Sequence, residues 1–244
     1  MGNKEEAIRE YILKNRKVSN NELSDHFKLS IQTIRKYLSK LENKGSIVRT
    51  HGGAESCSTF TDRLIIDVDS KRKISKMCAS LLENNDTIFI DNSSTYYFMA
   101  DYLPKDLQLI VVTASVPLAL RLKDLTSNKV FLIGGYVSDV TYGTYFPGSF
   151  SNVSNVIFDK SFFGTTGFSQ EFEFTENNEE SIKIQTEISN NSKKRIIGAS
   201  ANKEKHIGNE KTFKFSDIDI FITENNISNK LKNALKDKLE LILV

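Results

Sequence analysis

The chain has 244 residues, 39% of them hydrophobic and 26% charged, with a formal net charge of +2. That is an ordinary soluble mix, long enough for one or two domains with a real core. No apolar run approaches the ~18 residues of a membrane helix, the first residues lack a signal-peptide core, and Glu6 breaks the myristoylation pattern. A cytoplasmic protein with no membrane partner is expected. Charge is unevenly placed: residues 1–55 carry 11 Lys/Arg against 7 Asp/Glu, and the remainder carries 22 against 24. A basic head on a slightly acidic body suits a phosphate-facing module joined to something else. Cys57 and Cys78 form no CxxC, and His26, His51 and His206 are scattered. Free thiols are expected, with no metal and no cofactor.

In chain order, Lys4 to Lys14 places Ala7, Ile8, Tyr11 and Ile12 at helical spacing. Ser19-Asn20-Asn21-Glu22 reads as a capping box, with Val18 and Leu23 as its hydrophobic staple, so a second helix runs from Ser19 to about Phe27 or Lys28. Ser30 repeats the logic, with Leu29 stapled to Ile34. The turn between them has the length of a helix-turn-helix. The third helix puts Ile31, Ile34, Leu38 and Leu41 on one stripe and leaves Gln32, Thr33, Arg35, Lys36, Ser39 and Lys40 facing elsewhere. Arg suits guanine edges, Gln suits adenine and Lys suits phosphate, and the start of a recognition helix reaches the bases. Gln32, Thr33 and Arg35 are therefore expected on bases, and Lys36 and Lys40 on the backbone. Gly45 ends the helix, Ser46 to Arg49 is strand-like, and Thr50 to Gly53 turns. Arg49 and His51 on this wing can touch the adjacent groove. With Ser30 at the helix start, these residues make up the expected contact set for a double-stranded DNA operator. A basic helix alone is usually a solvated surface; two stapled caps, a short turn and a basic wing together favour DNA.

Leu23 to Ala54 resembles the DeoR-type bacterial transcriptional regulators. The match runs through Leu23, Ser30, Thr33, Ile34, Arg35, Leu38, Leu41, Gly45, Arg49, His51, Gly52, Gly53 and Ala54. Lys36 and Tyr37 stand where that family usually has Arg-Asp.

From Glu55 to about Ser70 helical periodicity lapses, and residues 56–70 are expected to be a linker between a head at 1–55 and a body at 71–244. Phe60 and Arg63 match a Phe-x-x-Arg common after the wing in the same family. Helical spacing returns from Lys71 to Leu82.

The body alternates short apolar runs with helices. Strands are expected at Thr87–Asp91, Leu109–Val112, Lys129–Ile133, Val156–Phe163, Arg195–Ala199, Asp217–Thr223 and Leu239–Val244. Helices are expected at Tyr96–Leu103, from Val116, and at about Asn178–Asn191. The alternation implies an α/β fold with a mostly parallel sheet covered on both faces. Such sheets bind ligands beyond the C-terminal ends of their strands. Asn92 to Thr95, Thr113-Ala114-Ser115 and Gly164-Thr165-Thr166-Gly167 all lie there. Hydroxyls and free amides at such ends suit an anion. Neither dinucleotide nor nucleoside-triphosphate fingerprints occur.

This half is similar to the effector domain of the same family. The family's Asp-Ser-Gly-Thr-Thr loop corresponds to Asp91-Asn92-Ser93-Ser94-Thr95, and its Thr-Asn-Ser to Thr113-Ala114-Ser115. Its Gly-Gly corresponds to Gly134-Gly135, its Asp-x-x-Phe-x-Gly to Asp159, Phe162 and Gly164, and its late lysine to Lys203. The resemblance implies a fold similar to ribose-phosphate isomerases and a phosphorylated-sugar effector. Ser93, Ser94 and Thr95 would take the phosphate, Lys203 would add charge, and Thr113, Ser115, Thr165 and Gly167 would contact the rest, with Asp91, Gly134 and Gly135 completing the set. The function expected is a repressor of a sugar-metabolism operon, working as a homo-oligomer (dimer or tetramer) with no catalytic residues. Two other readings stand beside it: a sugar-phosphate isomerase-like enzyme, for which the nearest carboxylates are Glu171 and Glu173, and an effector-independent DNA-binding protein. Lys183 and Glu187 are expected as a surface ion pair.

Overall fold

The computed structural model describes residues 4–43, 47–56, 59–145, 153–204 and 206–244. The chain divides into two compact units, parting after Ile66.

The head opens with α1 (Lys4–Asn15), whose buried residues are Ile8, Ile12 and Leu13. Ala7, expected on that stripe, is exposed. Leu13 replaces it, so the buried face is rotated toward the helix's last turn. Strand β1 (Lys17–Ser19) leads into α2 (Asn20–Phe27). The capping box is present: Ser19 Oγ accepts from the Glu22 amide at 3.1 Å, and Glu22 reaches back to the Ser19 amide at 3.4 Å. After α3 (Ile31–Asn43), β2 (Ile47–Thr50) and β3 (Gly53–Ser56) form the wing. They pair antiparallel, and β3 also takes β1 as its other neighbour. Gly45, Ser46 and Cys57 lie outside the described residues, and with them the expected helix end and one thiol. The core joins Ile8, Ile12, Val18, Leu23, Ile34, Leu38, Leu41, Ile47 and Ala54. This is a winged helix-turn-helix.

The segment expected as a linker is structured instead. Its first residue, Ser56, closes β3, and α4 (Phe60–Leu64) has its own capping box from Thr59 and Asp62. The helix has only five residues, too few to register as periodicity.

The body begins with α5 (Val68–Ser80), a turn earlier than its apolar spacing suggests, because Ser70 and Lys71 are buried polar residues. Then follow β4 (Thr87–Ile90), α6 (Ser94–Tyr97) continued by a 3-10 turn over Phe98–Asp101, β5 (Ile110–Thr113), α7 (Val116–Leu125) and β6 (Lys129–Leu132). A hairpin of β7 (Tyr136–Val137) and β8 (Thr144–Tyr145) precedes β9 (Phe158–Phe163). Next come β10 (Gly167–Ser169), β11 (Glu173–Glu176), α8 (Glu179–Asn190) and β12 (Ser192–Gly198). The described chain ends with β13 (Glu210–Lys211), β14 (Ile220–Thr223), α9 (Asn229–Leu235) and β15 (Glu240–Leu243).

Seven strands form one sheet in the order β15-β14-β12-β9-β4-β5-β6, every neighbouring pair parallel. One face packs Ile74, Cys78, Tyr96, Met99, Leu118 and Leu122 against Ile88, Ile90, Val111, Phe162, Ile196 and Ile222. The other packs Ile184, Ile188, Leu231 and Leu235 with Phe89, Val112, Phe163, Ile197 and Phe221. Because crossovers cover both faces, the strands read as continuous apolar runs. β10, β11 and β13 form a second, antiparallel sheet that the alternating pattern does not announce.

Candidate functional site

The head presents a polar face on an apolar anchor. Ile34, Leu38 and Leu41 are buried, while Gln32, Arg35, Lys36 and Lys40 are exposed. Ile31, expected on the buried stripe, is 38% exposed at the helix start. Ser30 caps α3: its Oγ accepts from the Thr33 amide at 3.2 Å and lies 2.9 Å from the Thr33 hydroxyl. Thr33 is half-buried, so its hydroxyl belongs to the cap as well as to the face. Tyr37 packs against the head's core, which accounts for an aromatic ring where the family carries an aspartate. On the wing, Arg49 and His51 are exposed. The Glu42 carboxylate accepts from the Arg49 amide at 3.3 Å and ties β2 to α3. Gly52 turns the hairpin at φ +96°. A Cβ on Gly53 would fall 2.0 Å from the Val18 carbonyl oxygen, so only glycine lets β3 lie against β1.

In the body, the loops after the strands interlock. Asp91, at the end of β4, is 3% exposed. Its carboxylate accepts from the amides of Asn92 at 2.8 Å and Gly164 at 2.9 Å, and from Gln185 Nε2 at 2.9 Å. Burial raises its pKa, against these hydrogen bonds. Asp91 thus joins β4, the turn after β9 and α8. A Cβ on Gly164 would lie 2.8 Å from Ser93 Cβ, so the two loops touch. Ser93 caps α6, accepting from the Thr95 amide at 3.3 Å. Ser94 and Thr95 are buried, and Thr95 Oγ1 has no hydrogen-bond partner.

Lys203 donates to the Thr165 carbonyl at 2.7 Å. Thr165 Oγ1 donates to the carbonyls of Gly167 and Thr175 at 2.8 and 2.9 Å. Gly167 lies under the His206 backbone, where a Cβ would sit 2.0 Å from its oxygen. The structure therefore gathers Asp91, Ser93, Thr95, Thr165, Gly167 and Lys203 at the ends of β4, β9 and β12. Thr113 and Ser115 stand one strand away, engaged locally: Thr113 Oγ1 accepts from the Ser115 amide, and Ser115 Oγ from the Leu118 amide. Gly134 and Gly135 are exposed beyond β6, and no hydrogen bond of the cluster, among the described residues, reaches them.

Several partners escaped the sequence reading. Asn92 Nδ2 donates to the Tyr145 hydroxyl, which also meets Thr141 at 3.1 Å and Ser181 at 3.0 Å. Tyr96 donates to the Phe163 carbonyl and accepts from the Gly198 amide, both at 2.7 Å. Apart from Thr141, four residues from Tyr145, these partners are more than thirty residues apart, and local pattern carries no signal for that. The carboxylate beside the 164–167 turn is Glu176, which accepts from the Thr166 hydroxyl. Glu173 is drawn off to the Phe215 amide at 3.1 Å. Lys183 pairs with Glu179 at 2.6 Å rather than with Glu187, because i to i−4 geometry serves either side of a lysine. Cys78 is free and buried, and burial pushes its thiol up. Among the described residues no cluster of His, Cys, Asp and Glu could hold a metal, and no helix is long and apolar enough to cross a membrane.

Comparison with known proteins agrees with both halves. Residues 4–60 match the DeoR-like helix-turn-helix domain, and residues 66–225 match the DeoR C terminal sensor domain. The chain belongs to the DeoR family of transcriptional regulators. It is 31% identical to the HTH-type transcriptional regulator GolR of Listeria innocua, over 91% of this chain and 90% of that one. It is 34% identical to the L-fucose operon activator of Haemophilus influenzae, over 73% and 74%. It is 28% identical to the lactose phosphotransferase system repressor of Staphylococcus epidermidis, over 97% of each. A ribose 5-phosphate isomerase from Methanocaldococcus jannaschii aligns at 11% identity and TM-score 0.42, covering 57% of this chain and 55% of that one.

Proposed function

We propose that this DeoR-family protein is a repressor of a sugar-use operon, released when a phosphorylated sugar binds at the strand ends of its body. The carrying observation is the gathering of Asp91, Ser93, Thr95, Thr165, Gly167 and Lys203 at one edge of a parallel sheet, where such sheets bind ligands. Among relatives, one is named as a lactose-system repressor and another as an L-fucose operon activator, which supports a sugar operon. Gln32, Thr33 and Arg35 read bases; Lys36, Lys40, Arg49 and His51 hold phosphates or the adjacent groove. Two or more copies act together, because paired heads read paired half-sites. The β6 edge supplies their contact: Phe131 is 56% and Leu132 44% exposed on a strand with one free side. Release requires the ligand to favour the DNA-incompetent arrangement, and a tenfold loss of operator affinity corresponds to about 1.4 kcal/mol of coupling.

The test is fluorescence anisotropy on duplexes from the chain's own upstream region, with and without a panel of phosphorylated sugars. One of them should weaken binding by about tenfold or more, and its unphosphorylated form should not. If the protein prefers no upstream duplex over random DNA, or none of the sugars shifts the affinity, the reading is wrong. Against the isomerase reading, the carboxylates beside the turn are, among the described residues, already engaged: Asp91 by three hydrogen bonds and Glu176 by Thr166.

A further inference from the structure

Nine of the fourteen large hydrophobic side chains exposed among the described residues lie between Ile110 and Tyr142. They belong to one margin of the body: β5, α7, β6 and the hairpin that follows. Leu120 on α7 is 63% exposed and Val137 on β7 53%. Scattered exposed apolar residues are ordinary, but a concentration at one edge marks a contact surface.

The backbone of β6 shows what fits there. Its Lys129 and Ile133 amides donate to the carbonyls of Leu109 and Thr113 on β5, at 3.1 and 2.8 Å. Amides alternate along a strand, so Phe131 also points to β5, while the N–H and C=O groups of Val130 and Leu132 point outward. No other strand pairs with β6 among the described residues. Natural edges are blunted with charge, proline or a bulge; β6 reads Lys-Val-Phe-Leu and has one charge, at its start. The opposite edge is better closed, because β15 packs Leu241 and Ile242 against the cores and opens on the exposed Glu240.

A second β6 complements this strand. In an antiparallel pair centred on Phe131, Val130 of each copy exchanges both backbone hydrogen bonds with Leu132 of the other. Every outward group is then satisfied without reaching past β6. The two Phe131 rings meet as a cross-strand aromatic pair. The Lys129 side chains fall at opposite ends, about 13 Å apart along the strand, so like charges do not face each other. Pairing β6 with itself also closes as a two-fold dimer, whereas β6 on β15 would run on as an open fibre.

We propose that two copies of the chain join β6 to β6, antiparallel about a two-fold axis at Phe131, so that their parallel sheets run on as one. The inference rests on the reading above that copies act together through this edge, and it specifies the partner strand and its register.

The experiment cross-links the full chain. Cα atoms of a non-hydrogen-bonded antiparallel pair lie about 4.5 Å apart, within disulfide reach. Under mild oxidation Phe131→Cys should form covalent dimer at least about tenfold faster than Lys129→Cys, which the register holds beyond that reach. Ile207→Cys, exposed elsewhere on the body, is the second control, and wild type gives the background of Cys57 and Cys78. Leu132→Pro tests the same register without a thiol. It deletes an outward N–H that β5 does not use, a position where an edge strand tolerates proline. Two hydrogen bonds leave the dimer, so dissociation by light scattering should shift to about tenfold higher concentration or more. Cross-linking at 131 no faster than at 129 or 207, or an unchanged dissociation midpoint in Leu132→Pro, overturns the pairing, as does a wild type that scatters as a single chain. The two readings fail separately. A chain that cross-links at 131 but keeps its operator under every phosphorylated sugar refutes effector release alone. A chain released by one of those sugars without cross-linking at 131 refutes the strand pairing alone.

Discussion

Asp91 shows how much of the body hangs on one side chain. Its carboxylate collects three donors from three elements, so Asp91→Asn would set an amide N–H against existing N–H groups. A buried donor without an acceptor costs about 1–3 kcal/mol, and thermal melting should fall accordingly while the head still binds DNA. Lys160 makes the opposite kind of contact. It is 7% exposed and pairs with Asp86 at 2.7 Å and Glu83 at 3.1 Å. Burial pulls its pKa down, but the hydrogen bonds and charges of Asp86 and Glu83 outweigh that and leave it raised. A raised lysine pKa contributes stability that is present below the unfolded value near 10.4 and is lost as pH climbs through the folded value. Wild type should therefore lose stability on the alkaline side more steeply than Lys160→Met. That variant should also be destabilised at neutral pH by several kcal/mol, because Asp86 is left buried and uncompensated. Melting curves at neutral and alkaline pH check both. On the DNA face, Arg35 is exposed and anchored by the buried Ile34 beside it. Arg35→Ala should abolish discrimination between operator and random duplex with fold and ligand response intact; retained discrimination would remove Arg35 from the groove.

Elements were legible where one local rule decides them. The Ser19 box, the Ser30 cap and Pro117 in the first turn of α7 all behave as their spacing implies, and the apolar runs of the body became the seven parallel strands. The misses share a cause. β1 has three residues and β13 two, and strands so short form only because a distant partner arrives. α5 extends beyond its apolar stripe because its first turn buries Ser70 and Lys71, residue types that read as solvent-facing. The same blindness hid Gln185, Tyr145 and Glu176 from the site: each is polar, and each becomes meaningful only after folding. Gly53 is the reverse case, a residue whose silence in sequence conceals a steric requirement. Gly53→Ala would drive a methyl into the Val18 carbonyl, 2.0 Å away, and prise the wing from β1. DNA affinity should drop, and the melting of the head should broaden or shift down, while the body's ligand response persists.

At the scale of the whole molecule, the sheet has two edges, β15 and β6. The β6 edge carries Phe131 and Leu132 into solvent, an arrangement that lone folded proteins usually blunt with charge or cover. Phe131→Asp should lower the molar mass seen by light scattering to that of a smaller assembly and weaken operator binding, with the fold of each unit unchanged; an unaltered mass would place the contact elsewhere. The division of the chain has its own mechanical corollary. The reader ends at Ile66, and α5 starts two residues later at Val68. The tether from the DNA-binding half is thus attached to the very turn that carries Ser70 and Lys71. The start of α5 is therefore also the covalent join between the two units.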